Sequence, residues 1–350
     1  MKKAFYTIAI AFFMLNTIMA QDIENDVTTE STPKLDLSGS IDSYFRTNLN
    51  ADYDAAPGTS FANLPGFSLG MANLIVAQEG SKFGFTADLV FGPRGEDATF
   101  LSPELRPGGN SSIVNQLYAY WQVTDGVKFT LGNFNTFLGY EVISPTGNFN
   151  YSTSYMFSYG PFSHTGLKAD IDLGGGLSFM AGIFNPTDAT EFNPTNKYAL
   201  GTQVGYESGG LGVWLNALYS AKDDELGIAA FSQFDITAGY DINDKIYVGL
   251  NATTASDSFY GFAGYLQVAT SDALKLGLRA ESFKDKGLGL FNETNDGSVL
   301  DLTLSANYTI GNLTIIPEVR LDSFSDEIIP TDATTSKSLS SFVLAAVYGF

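Results

Sequence analysis

The chain has 350 residues, a formal net charge of −20 at pH 7 and a mean hydropathy of +0.04. The acidic excess argues against a nucleic-acid partner, because no basic stripe is present, and the lack of cysteine excludes disulfides and thiol chemistry. After about residue 20 no apolar run is long enough for a transmembrane helix. A helical membrane protein is therefore excluded, but a β-barrel is not, since barrel strands are apolar only at alternate residues.

The first twenty residues have the form of a secretory signal peptide. A basic start at Lys2 is followed by an apolar run to about Met19 and by a small residue, Ala20. Such a segment is too short and too early for a membrane span. We expect residues 1–20 to be removed on export, and residues 21–34 to form a polar, flexible leader.

From Leu35 to Phe350 the sequence repeats one pattern, in which apolar and polar residues alternate. This alternation places the two faces of a strand in different environments. We predict about sixteen strands of roughly 8–15 residues, long enough to cross a bilayer when tilted. The predicted spans are 35–49, 67–79, 81–92, 113–123, 127–136, 166–173, 177–185, 197–207, 211–220, 229–241, 245–254, 259–269, 273–283, 298–310, 313–323 and 338–350.

The second predicted strand, 67–79, is the least regular. Met71 shares a face with the apolar residues before it, whereas Leu74 and Val76 lie on the opposite face. A β-bulge near Asn73 explains this switch, because one extra residue reverses the alternation.

The connections between the predicted strands alternate between short turns and long loops. The short ones are rich in Gly, Asn and Asp, as in Gly174-Gly175-Gly176, which supply the positive φ of tight hairpins. Short periplasmic turns and long external loops are typical of outer-membrane barrels. We therefore predict an all-β fold, a transmembrane antiparallel up-and-down β-barrel over residues 35–350. The long connections are 50–66, 93–112, 137–165, 186–196, 221–228, 284–297 and 324–337, and 255–258 is brief.

The last predicted strand ends on an aromatic residue, Phe350, with Tyr348 two positions before it on the same face. This pair resembles the signal by which outer-membrane barrels are recognised for insertion. The predicted partners are the barrel-insertion machinery, membrane lipid and lipopolysaccharide, and small hydrophilic solutes. A homotrimer is an arrangement that the sequence leaves open.

The connection 137–165 is unusual for an external loop. It is dense in aromatic residues and carries one ionised group, Glu141. Because sixteen strands enclose an aqueous channel, we predict that this loop folds into the barrel and narrows a pore. The alternative is a cap on the outer mouth or against a neighbouring subunit. The predicted constriction residues are Tyr140, Glu141, Tyr151, Tyr155 and Tyr159.

Charged residues face inward on the first and on several of the last strands. Charges inside a barrel are normally paired, so one interpretation is a structural wall of ion pairs. The other is a transverse field between this wall and the loop, which orients polar solutes. The predicted pore-lining residues are Arg46, Lys275, Arg279, Glu281, Asp301, Glu318, Arg320 and Asp322.

No catalytic or metal-binding motif is evident. The one histidine, His164, is predicted in a loop just before a strand, and hydrolytic catalysis needs such a residue beside a suitable Ser or Asp. The acidic runs 223–225 and 326–327 are predicted as solvated external loops, with weak Ca²⁺ binding as the alternative. We predict no enzymatic activity, no cofactor and no metal centre.

Four segments are similar to the OmpL-like family of β-barrel porins: LDLSGSIDSYF (35–45), FGPRGED (91–97), LGNFNTFLGYE (131–141) and SYGPFSHTG (158–166). The resemblance covers residues 35–350. It implies a pore of a Gram-negative outer membrane for passive diffusion of small hydrophilic solutes, and it carries over no particular solute. The alternatives are a substrate-specific channel, for example for sugars, and a plugged adhesin or structural barrel.

Overall fold

The computed structural model describes residues 34–99, 101, 111–222, 230–292, 294, 296–332 and 334–350. The predicted signal peptide, almost all of the predicted leader and the acidic run 223–225 lie outside the described residues. Within them, the helical segments are short, such as Pro93–Ala98 and Tyr155–Tyr159. No helix in the described part of the chain is long and apolar enough to cross a membrane.

Sixteen strands form one closed antiparallel barrel in which sequence neighbours pair. The last strand closes the barrel against the first, with Thr47 opposite Phe342 and Ser40 opposite Gly349. The predicted fold class and strand number are therefore confirmed. The barrel strands are β1 (Leu35–Asn48), β2 (Gly66–Gln78), β3 (Phe83–Phe91), β4 (Val114–Thr124), β5 (Val127–Asn135), β6 (Ser163–Gly174), β7 (Leu177–Phe184), β8 (Ala199–Ser208), β9 (Leu211–Ser220), β10 (Phe231–Asn243), β11 (Ile246–Ala255), β12 (Phe259–Ala269), β13 (Leu274–Asp285), β14 (Ser298–Ile310), β15 (Leu313–Phe324) and β18 (Ser338–Gly349). Two further strands, β16 (Ile329–Pro330) and β17 (Thr335–Ser336), form a small hairpin in the last long loop.

The alternation in the sequence becomes an apolar outside and a polar inside. On β14, Leu302 and Leu304 are about half exposed, whereas Thr303 between them is fully buried. Tyrosines mark the edges of the apolar surface, as expected where a barrel meets the two membrane interfaces. Outward tyrosines near the short turns are Tyr206, Tyr240, Tyr308 and Tyr348, and those near the long loops are Tyr219 and Tyr260.

The irregularity of β2 lies slightly earlier than predicted. The pairing register with β1 shifts between Ile41 and Ser43, opposite Gly70 and Met71. Met71 is consequently buried inside the barrel, and the prediction that it shares a face with the apolar residues before it is wrong. The inward carboxylate Asp42 stabilises the bulge, because its Oδ1 accepts the N–H of Met71 at 3.0 Å.

Strand β6 begins three residues before its predicted start, and this changes the position of the one histidine. His164 lies in β6 opposite Phe134 of β5, not in a loop. The prediction missed this extension because Ser163 to Thr165 carry no apolar side chain that would mark a lipid-facing position. His164 is fully buried between the rings of Phe137 and Phe184.

Candidate functional site

The long connection between β5 and β6, residues 136–162, lies inside the barrel and is called the inserted loop. Near its start, the N–H of Gly139 donates to Oδ1 of Asp235 on β10 at 3.1 Å. Midway, the carbonyl oxygen of Phe149 accepts a hydrogen bond from Asn307 on β14 at 3.0 Å. The loop therefore crosses the lumen from β5 to β14, as predicted, and is not a cap over the mouth.

Two carboxylates of the barrel wall hold the backbone of the inserted loop. Glu318 on β15 accepts hydrogen bonds from the backbone N–H groups of Tyr151 and of the residue after it, at 2.8 and 3.0 Å. Glu281 on β13 likewise accepts hydrogen bonds from the backbone N–H groups of Tyr155 and of the residue after it, at 2.8 Å each. Each carboxylate uses both of its oxygens, so the wall fixes both the position and the orientation of this backbone. Charge-assisted bonds of this kind are about twice as strong as neutral ones.

Arg279 on β13 binds oxygen atoms of the inserted loop, whereas the two glutamates bind its N–H groups. Its Nη1 donates to the carbonyl oxygen of Ser152 at 2.7 Å and to Oε1 of Glu141 at 2.8 Å. Its Nε donates to Oδ2 of Asp301 on β14 at 2.8 Å. The guanidinium thus joins one carboxylate of the wall to one carboxylate of the loop, in a fully buried position.

Arg320 on β15 binds the next carbonyl group of the loop and a carboxylate of the barrel wall in a similar way. Its Nη1 donates to the carbonyl oxygen of Thr153 at 2.8 Å, and its Nη2 donates to Oδ1 of Asp322 at 2.8 Å. The ring of Tyr155 lies 5.2 Å from the guanidinium carbon. The segment from Tyr151 to Met156 is therefore bound alternately by anions at its N–H groups and by cations at its carbonyl groups.

The eight charged residues predicted to line a pore all lie on inward-facing positions. Lys275, near the short-turn end of β13, is exposed and borders a cavity. Arg46 bonds oxygen acceptors of Asn48, Ala55 and Asn63 at 2.8–3.2 Å. Seven of the eight are buried: Arg46, Arg279, Glu281, Asp301, Glu318, Arg320 and Asp322.

The tyrosines of the inserted loop pack against the wall rather than projecting into water. Tyr151 is buried and donates its hydroxyl to Asp42, beside the bulge of β2. Tyr155 is fully buried, and its hydroxyl oxygen lies 3.0 Å from Oδ1 of Asp322. Burial, reinforced by the charge of Asp322, raises the pKa of Tyr155 well above its usual value. Its hydroxyl therefore remains a hydrogen-bond donor throughout the physiological pH range.

Tyr140 and Tyr159, the first and last of the predicted constriction residues, are less buried than the tyrosines between them. Tyr140 stacks on Tyr265 of β12, with ring centroids 4.0 Å apart, and its hydroxyl donates to that of Tyr247 at 3.0 Å. Tyr159 donates its hydroxyl to the carbonyl oxygen of Gly58 in the first long loop, at 2.7 Å. The inserted loop is thus held by the barrel wall and by a second loop.

Arg94 is an anchor that the sequence analysis missed. It lies in the helix Pro93–Ala98, is buried, and donates Nε to the carbonyl oxygen of Ile143 at 2.8 Å. Its guanidinium also lies 4.4 Å from the ring centroid of Phe61 and donates to the carbonyl oxygen of Tyr151 at 3.3 Å. No sequence signal separates it from an exposed loop arginine, because its partners are backbone carbonyls.

Cavities remain beside the inserted loop at several places in the lumen. One of 240 Å³ is lined by Lys128, Asp170 and Gln203, among others. Two more, of 260 and 290 Å³, lie along β8 to β13 near the short turns. A fourth cavity, of 340 Å³, lies between the inserted loop and β14, β15 and β18, beside Asn307 and Ile316. The lumen is therefore partly open on both sides of the loop. Across the described residues, no three His, Asp or Glu side chains converge as metal ligands.

The comparisons with known proteins agree with this architecture. The family described as "Putative beta-barrel porin-2, OmpL-like" matches residues 34–350. The chain belongs to this family. A comparison with curated protein sequences found no match.

Solved outer-membrane protein structures share the fold of this OmpL-like porin at low sequence identity. OmpF of Salmonella typhi, in complex with daunomycin, is 14% identical with a TM-score of 0.60, over 91% of this chain and 98% of that one. An anion-selective porin from Comamonas acidovorans is 13% identical with a TM-score of 0.59, over 91% and 100%. OmpT of Vibrio cholerae, in a trimer form, is 14% identical with a TM-score of 0.56, over 91% and 100%. The porin is thus an outer-membrane pore in fold and family.

The end of the porin's inserted loop is fastened by a carboxylate with a raised pKa. Asp188, in the connection between β7 and β8, accepts the N–H groups of Phe162 and Ser163 on Oδ1, both at 2.8 Å. Burial raises the pKa of this carboxyl to about 6, although the two hydrogen bonds oppose the shift. The neutral form is therefore favoured in the folded porin relative to the unfolded chain.

We expect Asp188→Asn to flatten the pH dependence of porin stability. A folded-state pKa above the unfolded value contributes stability at low pH that is lost as pH rises from about 4 through about 6. The contribution is at most about 3 kcal/mol. Urea unfolding in lipid vesicles at pH 4, 5, 6 and 7 measures it. The exposed carboxylate Asp332→Asn is the control, and an equal slope in Asp188→Asn and wild type would contradict the assignment.

Proposed function

We propose that this porin lets small hydrophilic solutes diffuse passively across the outer membrane, through the space that the inserted loop leaves open. The observation that carries the proposal is the set of cavities that remain beside the loop. Its backbone is bound to β10, β13 and β15, and cavities remain beside it along β4 to β13 and against β14, β15 and β18. A sixteen-stranded barrel is wide enough for an aqueous channel, so the loop sets the width of the path.

The wall of buried charges has a mechanical role in this proposal. Arg279 and Arg320 are neutralised by Asp301, Asp322 and Glu141 at close range. Because these groups are buried, they bind the loop instead of meeting the permeating solute. In this proposal the buried ion pairs hold the constriction in place. The electric field that solutes experience then comes from the exposed inward charges.

Those exposed charges predict a preference for cations. Lys168 is paired with Asp170 at 3.1 Å, so this pair adds little net field. In a planar bilayer under a KCl gradient, we expect a reversal potential of the sign that cation selectivity produces. We expect a reversal potential of smaller magnitude in the variant Glu207→Gln. An anion-selective reversal potential would contradict this. The remaining inward charges include the exposed Asp36, Asp172, Glu207 and Asp241 against the exposed Lys275 and the half-buried Lys128.

Single-channel recording of the refolded chain tests the diffusion pore itself. Steady, discrete openings are expected from protein that migrates as a folded, heat-modifiable barrel on a gel. A folded barrel without conductance would overturn the proposal and favour a plugged adhesin or structural barrel.

A channel rather than an enzyme is also supported by the surroundings of His164. Its Nε2 contacts Thr136 at 2.9 Å, and its Nδ1 has no partner among the described residues.

We further propose export by a signal peptide at 1–20, insertion guided by Tyr348 and Phe350, and contact with lipid and lipopolysaccharide. The outward side chains of both aromatic residues are about half exposed, which supports access by the insertion machinery. An apolar cleft of 390 Å³ on the outer face of β1, β2, β15 and β18 contains Phe45 and Phe67. The cleft and the trimeric form of a similar structure support assembly as a homotrimer.

A further inference from the structure

Three aromatic rings lie flat on the inner wall near the short turns, because the wall has glycine beneath them. A Cβ atom on Gly205 or Gly212 would lie 2.5–2.9 Å from the nearest ring atoms of Trp214, and one on Gly239 would lie 3.0 Å from the ring of Tyr247. The third ring, Tyr140 of the inserted loop, covers a further glycine of β11 in the same way. Side chains other than glycine at these positions would push the rings off the wall.

These rings border two neighbouring cavities. The first, of 260 Å³, is lined by Trp214, Tyr140 and Tyr247 together with Gln203. The second, of 290 Å³, also contains Tyr140 and Tyr247 and continues toward Lys275 at the short-turn end. Trp214, Tyr247 and Tyr140 are each only partly buried, although Tyr140 also stacks on Tyr265. The arrangement is an aromatic surface beside the two cavities.

Hydrogen-bonding groups at the edges of the rings are available to a ligand. The indole N–H of Trp214 has no acceptor among the residues that the structure describes, and the hydroxyl of Tyr247 accepts from Tyr140 while keeping its own proton to donate. Gln203 donates its amide to Phe137 and Asn216, which leaves its partly exposed carbonyl oxygen as an acceptor. Apolar faces with a few placed donors and acceptors are the usual composition of a ligand site.

We propose that this surface binds neutral saccharides as they pass the inserted loop. A pyranose ring has an apolar C–H face that fits an aromatic ring and a rim of hydroxyls that both donate and accept hydrogen bonds. The charges at the rim of the second cavity have both signs, Asp241 and Asp244 against Lys245 and Lys275, so they favour no single ionic class. The inference rests on the proposed diffusion pore, for which it names a substrate class.

The two tryptophans of the chain permit a direct binding test. Trp214 faces the lumen, whereas Trp121 is on the outward face of β4 beside Phe83. In the variant Trp121→Phe, Trp214 is the one remaining tryptophan reporter. We expect maltotriose to change its emission in a saturable manner, with several-fold weaker half-saturation after an added Tyr247→Ala. The matched variant Trp214→Phe retains Trp121 alone and should not respond.

Single-channel recording distinguishes a failure of the saccharide inference from a failure of the proposed diffusion pore. Maltotriose is expected to interrupt the current of the wild-type porin in discrete events, several-fold less often in Trp214→Ala, while a polyethylene glycol of equal size gives no such events. Conductance without sugar-dependent events or emission changes would overturn the saccharide inference and leave the diffusion pore intact. Equal responses to maltotriose and to an aromatic cation of similar size would also overturn it. Loss of all conductance in folded protein would instead overturn the proposed function.

Discussion

The double variant Glu281→Gln, Glu318→Gln is expected to raise the single-channel conductance several-fold. Each native carboxylate accepts two loop N–H groups, one on each oxygen. Glutamine has the same shape, but its NH₂ group must face one N–H of each pair. Two buried donors then lose their acceptors, at a cost of about 1–3 kcal/mol each. The loop should leave the wall for part of the time and widen the path.

The barrel should remain folded in this double variant, because the substitutions are isosteric and the strands keep their ladders. Heat-modifiable migration on a gel checks this, and protease cleavage within 136–162 should become faster than in the wild type. Glu207→Gln, at an exposed inward position of β8, is the matched control and should leave the conductance level nearly unchanged. An unchanged conductance in the double variant would show that the carboxylates do not hold the constriction.

Arg279→Met is expected to cause the largest loss of stability of any single substitution in the wall. It removes the buried pairs with Asp301 and Glu141 and a hydrogen bond to the carbonyl oxygen of Ser152. Breaking a buried ion pair from one side typically costs about 3–5 kcal/mol, because the remaining charges stay buried without compensation. The temperature at which the folded form disappears from a gel should fall markedly.

Lys275→Met is the matched control for Arg279→Met. It removes a cation from the same strand and the same inward face, but the side chain is exposed, so the change should stay within about 0.5 kcal/mol. Adding Glu141→Gln and Asp301→Asn to Arg279→Met should restore part of the loss, since the carboxylates would then be neutral. Equal melting of Arg279→Met and Lys275→Met would contradict the role of the ion pairs.

The parts of the site that the sequence predicted are those that depend on alternation. The inward direction of Arg279, Glu281 and Arg320 follows from the period of a pleated strand, and the entry of the inserted loop follows from its lack of charge. The start of β6 and the position of Met71 were wrong. Both lie where a strand extends beyond the apolar band or gains a residue, and there the alternation carries no information.

The binding partners of the buried charges could not be predicted. Glu281, Glu318, Arg320 and Arg94 bind main-chain N–H and carbonyl groups of the inserted loop, and such groups are the same in every residue. A sequence therefore carries no mark of which backbone atoms a distant side chain will reach. For the same reason, the glycines beneath Trp214 and Tyr247 could not be distinguished from other strand glycines.

The sequence by itself determined that this chain is a sixteen-stranded outer-membrane barrel, because lipid outside and polar groups inside impose a two-residue period on every strand. The tertiary structure alone decided that the buried charges of β13 and β15 bind the inserted loop, and where cavities remain beside that loop. Barrel closure brings β1, β13 and β15 around the same end of the loop, although they are up to about 280 residues apart in the chain. The way in which the loop fills the lumen depends on these long-range contacts.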